Sequence, residues 1–166
     1  MKIFKLAAPA AMAAFALAVP VAPASAGTAT ASFLVTANVN SSCTIGATDL
    51  AFGNYDPTGG NVDAASQVSV TCTKTAAWNV GLDEGIFAGA TVSSRKMTGP
   101  SSFALSYGLF TDIGRSHVWG HTVGTDTMSG TGTGGAQALD VYGRIPGLQN
   151  VGTGAYSDTI TATVTF

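Results

Sequence analysis

Charge is what this sequence has least of: only 10% of its 166 residues are Asp, Glu, Lys or Arg. Beyond the N-terminal Lys2 and Lys5, five basic residues (Lys74, Arg95, Lys96, Arg115 and Arg144) face nine acidic ones, a formal net charge of −4. Such a chain has no basic footprint for nucleic acid or anionic lipid. Cysteine is almost missing too. Cys43 and Cys72 stand alone, with no CxxC spacing and no His beside either, so nothing supports a thiolate metal site or cofactor. Histidine is limited to His117 and His121, and no nucleophile, base and orienting group can be picked out as a catalytic set. The chain therefore reads as a non-enzyme. No window carries a sustained 3.6-residue apolar period with caps, which argues against any helix longer than one or two turns.

Long apolar runs are confined to the start. Lys2 and Lys5 form a basic n-region, an Ala-rich apolar stretch runs from Leu6 to about Val21, and Ala24-Ser25-Ala26 supplies a small-x-small cleavage pattern. Residues 1–26 are expected to be a removable export signal, with Gly27 as the first mature residue. No later run approaches the ~18 residues that span a bilayer, so the mature chain is not expected to insert in a membrane. In an oxidising compartment the isolated pair Cys43 and Cys72 is most simply a disulfide. Closing that loop is worth about 3–4 kcal/mol in the chain-entropy model.

What the sequence does have is Gly, Thr, Ser, Ala and Val in short alternating runs. Ala29, Ala31, Phe33, Val35, Ala37 and Val39 share one phase, with Thr28, Thr30, Ser32, Thr36 and Asn38 on the other and Leu34 the lone exception. Val68, Val70 and Cys72 make a second apolar face, Trp78, Val80 and Leu82 a third, and Leu105, Tyr107 and Leu109 a fourth. Ile160, Ala162, Val164 and Phe166 alternate with threonines at the end. Turn chemistry separates the runs at Asp56-Pro57-Thr58-Gly59-Gly60, Thr98-Gly99-Pro100-Ser101 and Gly130–Gly135. Strands at this spacing without intervening helices predict one all-β antiparallel sandwich over residues 27–166. A strand pattern at each end with no local partner leaves an open edge, and lending the first strand to a neighbour is one physical remedy.

The ordered string Ser42-Cys43-Thr44-Ile45, Leu50-Ala51-Phe52-Gly53-Asn54-Tyr55-Asp56-Pro57, Val68-Ser69-Val70-Thr71-Cys72-Thr73 and Arg95-Lys96-Met97 resembles the spore coat protein U domain family. So do Leu105 to Asp112, Val118-Trp119-Gly120, Val141-Tyr142-Gly143-Arg144-Ile145-Pro146, Gln149, Gly154-Ala155-Tyr156-Ser157-Asp158 and the terminal Thr163 to Phe166. The likeness covers nearly the whole mature chain, and departs from the family's habit at His121, where an acidic residue often stands. That family includes Csu-type pilins of archaic chaperone–usher pili.

The resemblance implies an incomplete immunoglobulin-like antiparallel β-sandwich, completed by a donor strand from a neighbouring subunit. It implies related pilin subunits, a periplasmic chaperone and an outer-membrane usher as partners, and passage through the periplasm to the cell surface. Residues 27–40 match the donor strand, with Ala29, Ala31, Phe33, Val35, Ala37 and Val39 pointing inward. Ile160, Ala162, Val164 and Phe166 match the acceptor-groove strand. Polymerisation, adhesion and biofilm formation follow as the expected function, with a shaft subunit favoured over a two-domain tip adhesin. A coat or matrix protein using the same domain is the alternative, and a carbohydrate-binding module built on Trp78, Trp119 and the tyrosines a lesser one.

Other motifs carry less. Gly130-x-Gly132-x-x-Gly135 has the glycines of a dinucleotide loop, but Ala136 to Val141 reads as a strand where a helix is required. His117 and His121 flank Trp119 at alternate positions and would share a face on a strand, two ligands where zinc wants three or four. The pairs Asp83-Glu84 and Arg95-Lys96 read as loop or rim charges, and Asn40-Ser41-Ser42 is a formal glycosylation sequon.

Overall fold

The computed structural model describes residue 20 and residues 23–166. Most of the export signal expected at 1–26 therefore lies outside the described residues. The chain divides into two units, Met1–Ala37 and Asn38–Phe166. In the first, residues 23–37 form neither strand nor helix and are exposed throughout, Phe33 to 86% and Val35 to 79%.

The second unit is all-β. Its strands are β1 (Cys43–Ala47), β2 (Val62–Cys72), β3 (Ala77–Leu82), β4 (Arg95–Thr98), β5 (Ala104–Phe110), β6 (Met128–Thr131), β7 (Ala136–Ile145) and β8 (Ala162–Thr165). Among the described residues the helical content is one 3-10 turn, Pro100–Ser102. Five strands make one sheet in the order β1-β2-β7-β5-β4, and three make the other in the order β6-β3-β8, every pairing antiparallel. This is an antiparallel sandwich, as the alternation predicts, of the immunoglobulin-like kind that the family resemblance implies.

The spine is the β2–β7 ladder, running in register from Val62↔Ile145 to Thr71↔Ala136. Because successive side chains of a strand face opposite ways, Val68, Val70 and Cys72 enter the core while Gln67 and Ser69 stay in water. Trp78, Val80 and Leu82 of β3 meet them from the second sheet, and Leu105, Tyr107, Leu109, Leu139, Val141 and Ile145 complete the core. Trp78 is buried opposite Gly130, where an added Cβ would fall 2.4 Å from the indole. Only glycine leaves room for that ring beside β6.

Cys43 and Cys72 are directly opposed in register and joined as a disulfide, tying β1 to the end of the spine strand. Ser42 adds a clamp at the same point: its carbonyl accepts the Thr73 amide at 2.9 Å, and its amide donates to Thr73 Oγ1 at 3.1 Å.

The charge reading needs one correction. Arg95 is not a rim residue but, among the described residues, the most deeply buried charge, with 0% exposure. It shares its strand phase with Met97, so alternation along β4 points both toward the interior. The guanidinium is tolerated there because its donors meet the carbonyls of Asp83, Val92, Leu82 and Trp119 at 2.7–2.9 Å. Burial lowers its pKa below the ordinary arginine value.

Candidate functional site

The sandwich does not close along one side. β1 is an edge of the five-stranded sheet and β8 an edge of the three-stranded one, and among the described residues neither has a strand on its outer side. The two edges approach each other. Between and beyond them, residues 48–61 after β1 and residues 146–161 before β8 form no strand beyond one bridge at Ser157.

A groove lies between these segments. One cavity of about 400 Å³ is lined by Leu50, Ile160 and Ala162 at its mouth and by Val68, Leu109 and Val141 at its floor. A second of about 690 Å³ lies between residues 50–57 and 151–156, floored by Leu105 and Ile145. Leu50, Phe52, Met97 and Tyr156 line both, so the two volumes adjoin. Sealed interiors are packed with few voids larger than a water molecule. Here the core's own side chains line an open trough.

Each end of the groove has a polar latch. At one, Tyr55 Oη donates to the Pro146 carbonyl at 3.0 Å and accepts the Gln149 amide at 2.8 Å. The Gln149 side chain then accepts the Ser106 amide at 2.8 Å and donates to the Ser106 carbonyl at 2.9 Å, standing in for a strand against β5. At the other, Tyr107 Oη donates to Asp158 Oδ2 at 2.6 Å. Burial, followed by the hydrogen bond to Asp158, pushes the Tyr107 hydroxyl far above its ordinary pKa, so the proton stays on tyrosine.

The residues singled out in the sequence fall as follows. Ala29, Ala31, Phe33, Val35, Ala37 and Val39 are exposed. Ile160, Ala162 and Val164 are half-buried along the groove wall, and Phe166, just beyond β8, is 58% exposed. The histidines are not brought together with Trp119 on one face. Trp119 is buried, its Nε1 donating to the Val80 carbonyl at 2.8 Å, whereas both histidines are exposed. His117 Nδ1 lies 3.3 Å from Asp112 and His121 Nδ1 3.7 Å from Glu84, two different carboxylates. No strand runs through 117–121 to align them; a single bridge, Phe110↔Val118, holds that segment. Asp83 and Glu84 sit in the loop after β3, as read.

Sequence reasoning missed the two latches and the role of Arg95. The phase shared with Met97 was the available signal for Arg95. Nothing local marks Tyr55 as a partner of Gln149, which lies 94 residues away.

The chain resembles a chain of the crystallised CsuC–CsuE chaperone–tip adhesion subunit pre-assembly complex, from the archaic chaperone–usher Csu pili of Acinetobacter baumannii. The TM-score is 0.57 at 22% identity, over 77% of this chain and 40% of that one. The likeness is one of fold, and this chain spans well under half the length of its structural neighbour. In sequence it is 38% identical to "Protein U" of Myxococcus xanthus, across 95% of this chain and 96% of that protein. Residues 29–163 match the family described as the Spore Coat Protein U domain, which groups structural proteins and not enzymes. The chain therefore belongs to the Spore Coat Protein U domain family.

Proposed function

We propose that this protein is a pilin-type structural subunit that polymerises outside the cell by donor-strand exchange. The observation that carries the reading is the open groove, in which core side chains of both sheets line a trough bounded by the edge strands β1 and β8. The chain offers a filler of matching chemistry. Residues 29–39 alternate apolar and polar except at Leu34, and the largest side chains of the apolar phase, Phe33 and Val35, are exposed. Laid in a neighbour's groove, the strand zips main-chain hydrogen bonds onto the two free edges. Burying Phe33 and Val35 contributes roughly 3–6 kcal/mol.

In this reading the leader exports the chain to the periplasm. A chaperone fills the groove until an outer-membrane usher adds the subunit to a surface fibre that serves adhesion and biofilm formation. The joint is slow to break because a sandwich completed in this way must unfold to release its strand. The structural neighbour, crystallised as a chaperone–subunit complex of such pili, supports the assignment of a chaperone and of fellow subunits as partners.

The test is electrophoresis of surface-sheared material in SDS, with and without boiling, probed for this subunit. A ladder that collapses on heating is the expected result. Monomer in both lanes, from cells that express the protein, sinks the proposal. It would favour the second reading, a subunit of a non-fibrous spore coat or matrix layer, for which the family's description and the 38% identity to Protein U speak.

A further inference from the structure

The groove wall that ends in β8 changes sheets along its length, and the change is held by side chains. At Ser157 it belongs to the five-stranded sheet: Ser157 accepts the Thr98 amide of β4 at 2.8 Å and donates to the Thr98 carbonyl at 3.1 Å. From Ala162 onward it pairs with β3 in the other sheet, in the register Leu82↔Ala162. One more step of that register sets Asp83 opposite Thr161, and the Asp83 amide does donate to the Thr161 carbonyl at 3.1 Å. The return bond is missing. Arg95 Nε occupies the Asp83 carbonyl at 2.8 Å, and the Thr161 amide donates instead to Asp83 Oδ1 at 2.9 Å. Two residues earlier the pattern repeats, with the Thr159 amide donating to Asp158 Oδ1 at 2.8 Å.

Asp158 is itself fixed. Its Oδ1 also accepts the Ile86 amide at 2.9 Å, and its Oδ2 accepts the Tyr107 hydroxyl. Gly85 has φ +87°, and any Cβ there would collide with the Asp158 carboxylate, so the loop after β3 can close over it only as glycine. Backbone groups of a strand alternate between its two edges. With Thr159 and Thr161 answered by carboxylates on the inner edge, the amides and carbonyls of Ile160, Ala162 and Val164 fall on the other edge, facing the groove.

Resting on the strand-acceptance reading above, we infer that Asp83 and Asp158, braced by Arg95 and Tyr107, are positioning residues for strand capture. They replace the ladder where the wall crosses between sheets, and so present a straight free edge at the mouth of the cavity lined by Ile160 and Ala162. Without them the unpaired amides of Thr159 and Thr161 would seek β3 or water, and the edge would turn away from the incoming strand.

The experiment measures capture of a fluorescent peptide with the sequence of residues 27–40 by the oxidised mature chain, followed by anisotropy, beside a thermal melt of each variant. Asp158→Ala is expected to slow capture by about tenfold at temperatures where it remains folded, the scale of one hydrogen bond to a charged group. Asp158→Asn keeps an acceptor oxygen for Thr159 and Ile86 and is expected to restore most of the rate, a rescue that mere loss of stability would not give. Folded Asp158→Ala capturing at the wild-type rate overturns the inference. Should Asp158→Ala fail to fold, Tyr107→Phe carries the test: it keeps the ring and removes only the donor to Asp158. Slower capture supports the inference, and an unchanged rate overturns it. Wild-type chain that captures no peptide instead overturns the strand-acceptance reading itself, and the inference with it.

Discussion

Replacing Arg95 with Met tests how a charge can sit at 0% exposure with no carboxylate in salt-bridge contact among the described residues. Two effects oppose each other. Methionine fills much of the same volume and removes the cost of desolvating a cation, which in some proteins makes such a swap neutral or favourable. Against that, the guanidinium's four carbonyl partners lose their donor. The carbonyls of Leu82 and Trp119 are bonded in the buried interior, and those of Asp83 and Val92 nearer the surface. Water can reach the outer pair. The inner pair cannot be rescued, and a buried group left without its partner costs about 1–3 kcal/mol. After credit for the relieved desolvation, the net loss is expected to be about 3 kcal/mol.

For a domain of this size that loss corresponds to a fall in Tm of about 10 °C. The assay is urea unfolding of the oxidised chain read by tryptophan fluorescence. Trp119, whose carbonyl Arg95 holds, and Trp78 are both buried, so emission reports directly on this region. Arg95→Lys should fall between, since an ammonium offers three donors and lacks the planar fork. Arg95→Met within ~0.5 kcal/mol of the parent, at unchanged m-value, would refute the reasoning and show that desolvation dominates.

Three other outcomes are expected. Phe33→Asp or Val35→Asp should abolish the heat-labile multimers while the subunit itself stays folded, and normal fibres from either variant would remove the donor assignment. Changing Cys43 and Cys72 to Ser should lower unfolding stability by about 3–4 kcal/mol, seen as a shift in the urea midpoint; an unchanged midpoint would contradict the chain-entropy account. Stability should also decline in acid through Asp63, whose carboxyl is held below its ordinary pKa first by the hydrogen bonds from Arg144 (Nε 2.7 Å, Nη2 2.8 Å) and then by the charge of Arg115. A group depressed on folding stabilises above its unfolded pKa near 4 and loses that contribution as pH falls through the lower folded value. Asp63→Asn should therefore flatten the acid limb of a pH series of melts, and an unchanged slope would exclude the pair as a contributor.

Much of the fold was legible in the residues alone, because period-two alternation is a local property. Val68/Val70/Cys72, Trp78/Val80/Leu82 and Leu105/Tyr107/Leu109 are buried in the phase their neighbours dictate. The cysteine pair was legible by elimination, since two thiols in a chain expected to be exported have one partner each, and they do form the disulfide. The glycine-rich Gly130–Gly135 stretch gave way to a strand, β7, and not to a helix, because Ala136 to Val141 alternates.

The remaining features depend on which distant segments share an edge. The open side between β1 and β8, the latch of Tyr55 with Gln149, and the sheet crossing pinned by Asp83 and Asp158 join residues far apart in the chain. Arg95 was misread because charge is normally a surface signal. Its burial depends on carbonyls from the β3 end, the following loop and Trp119 converging on one point. Alternation states which way a side chain faces along its own strand, but not which backbone groups await it there, and those come from the packing of the two sheets.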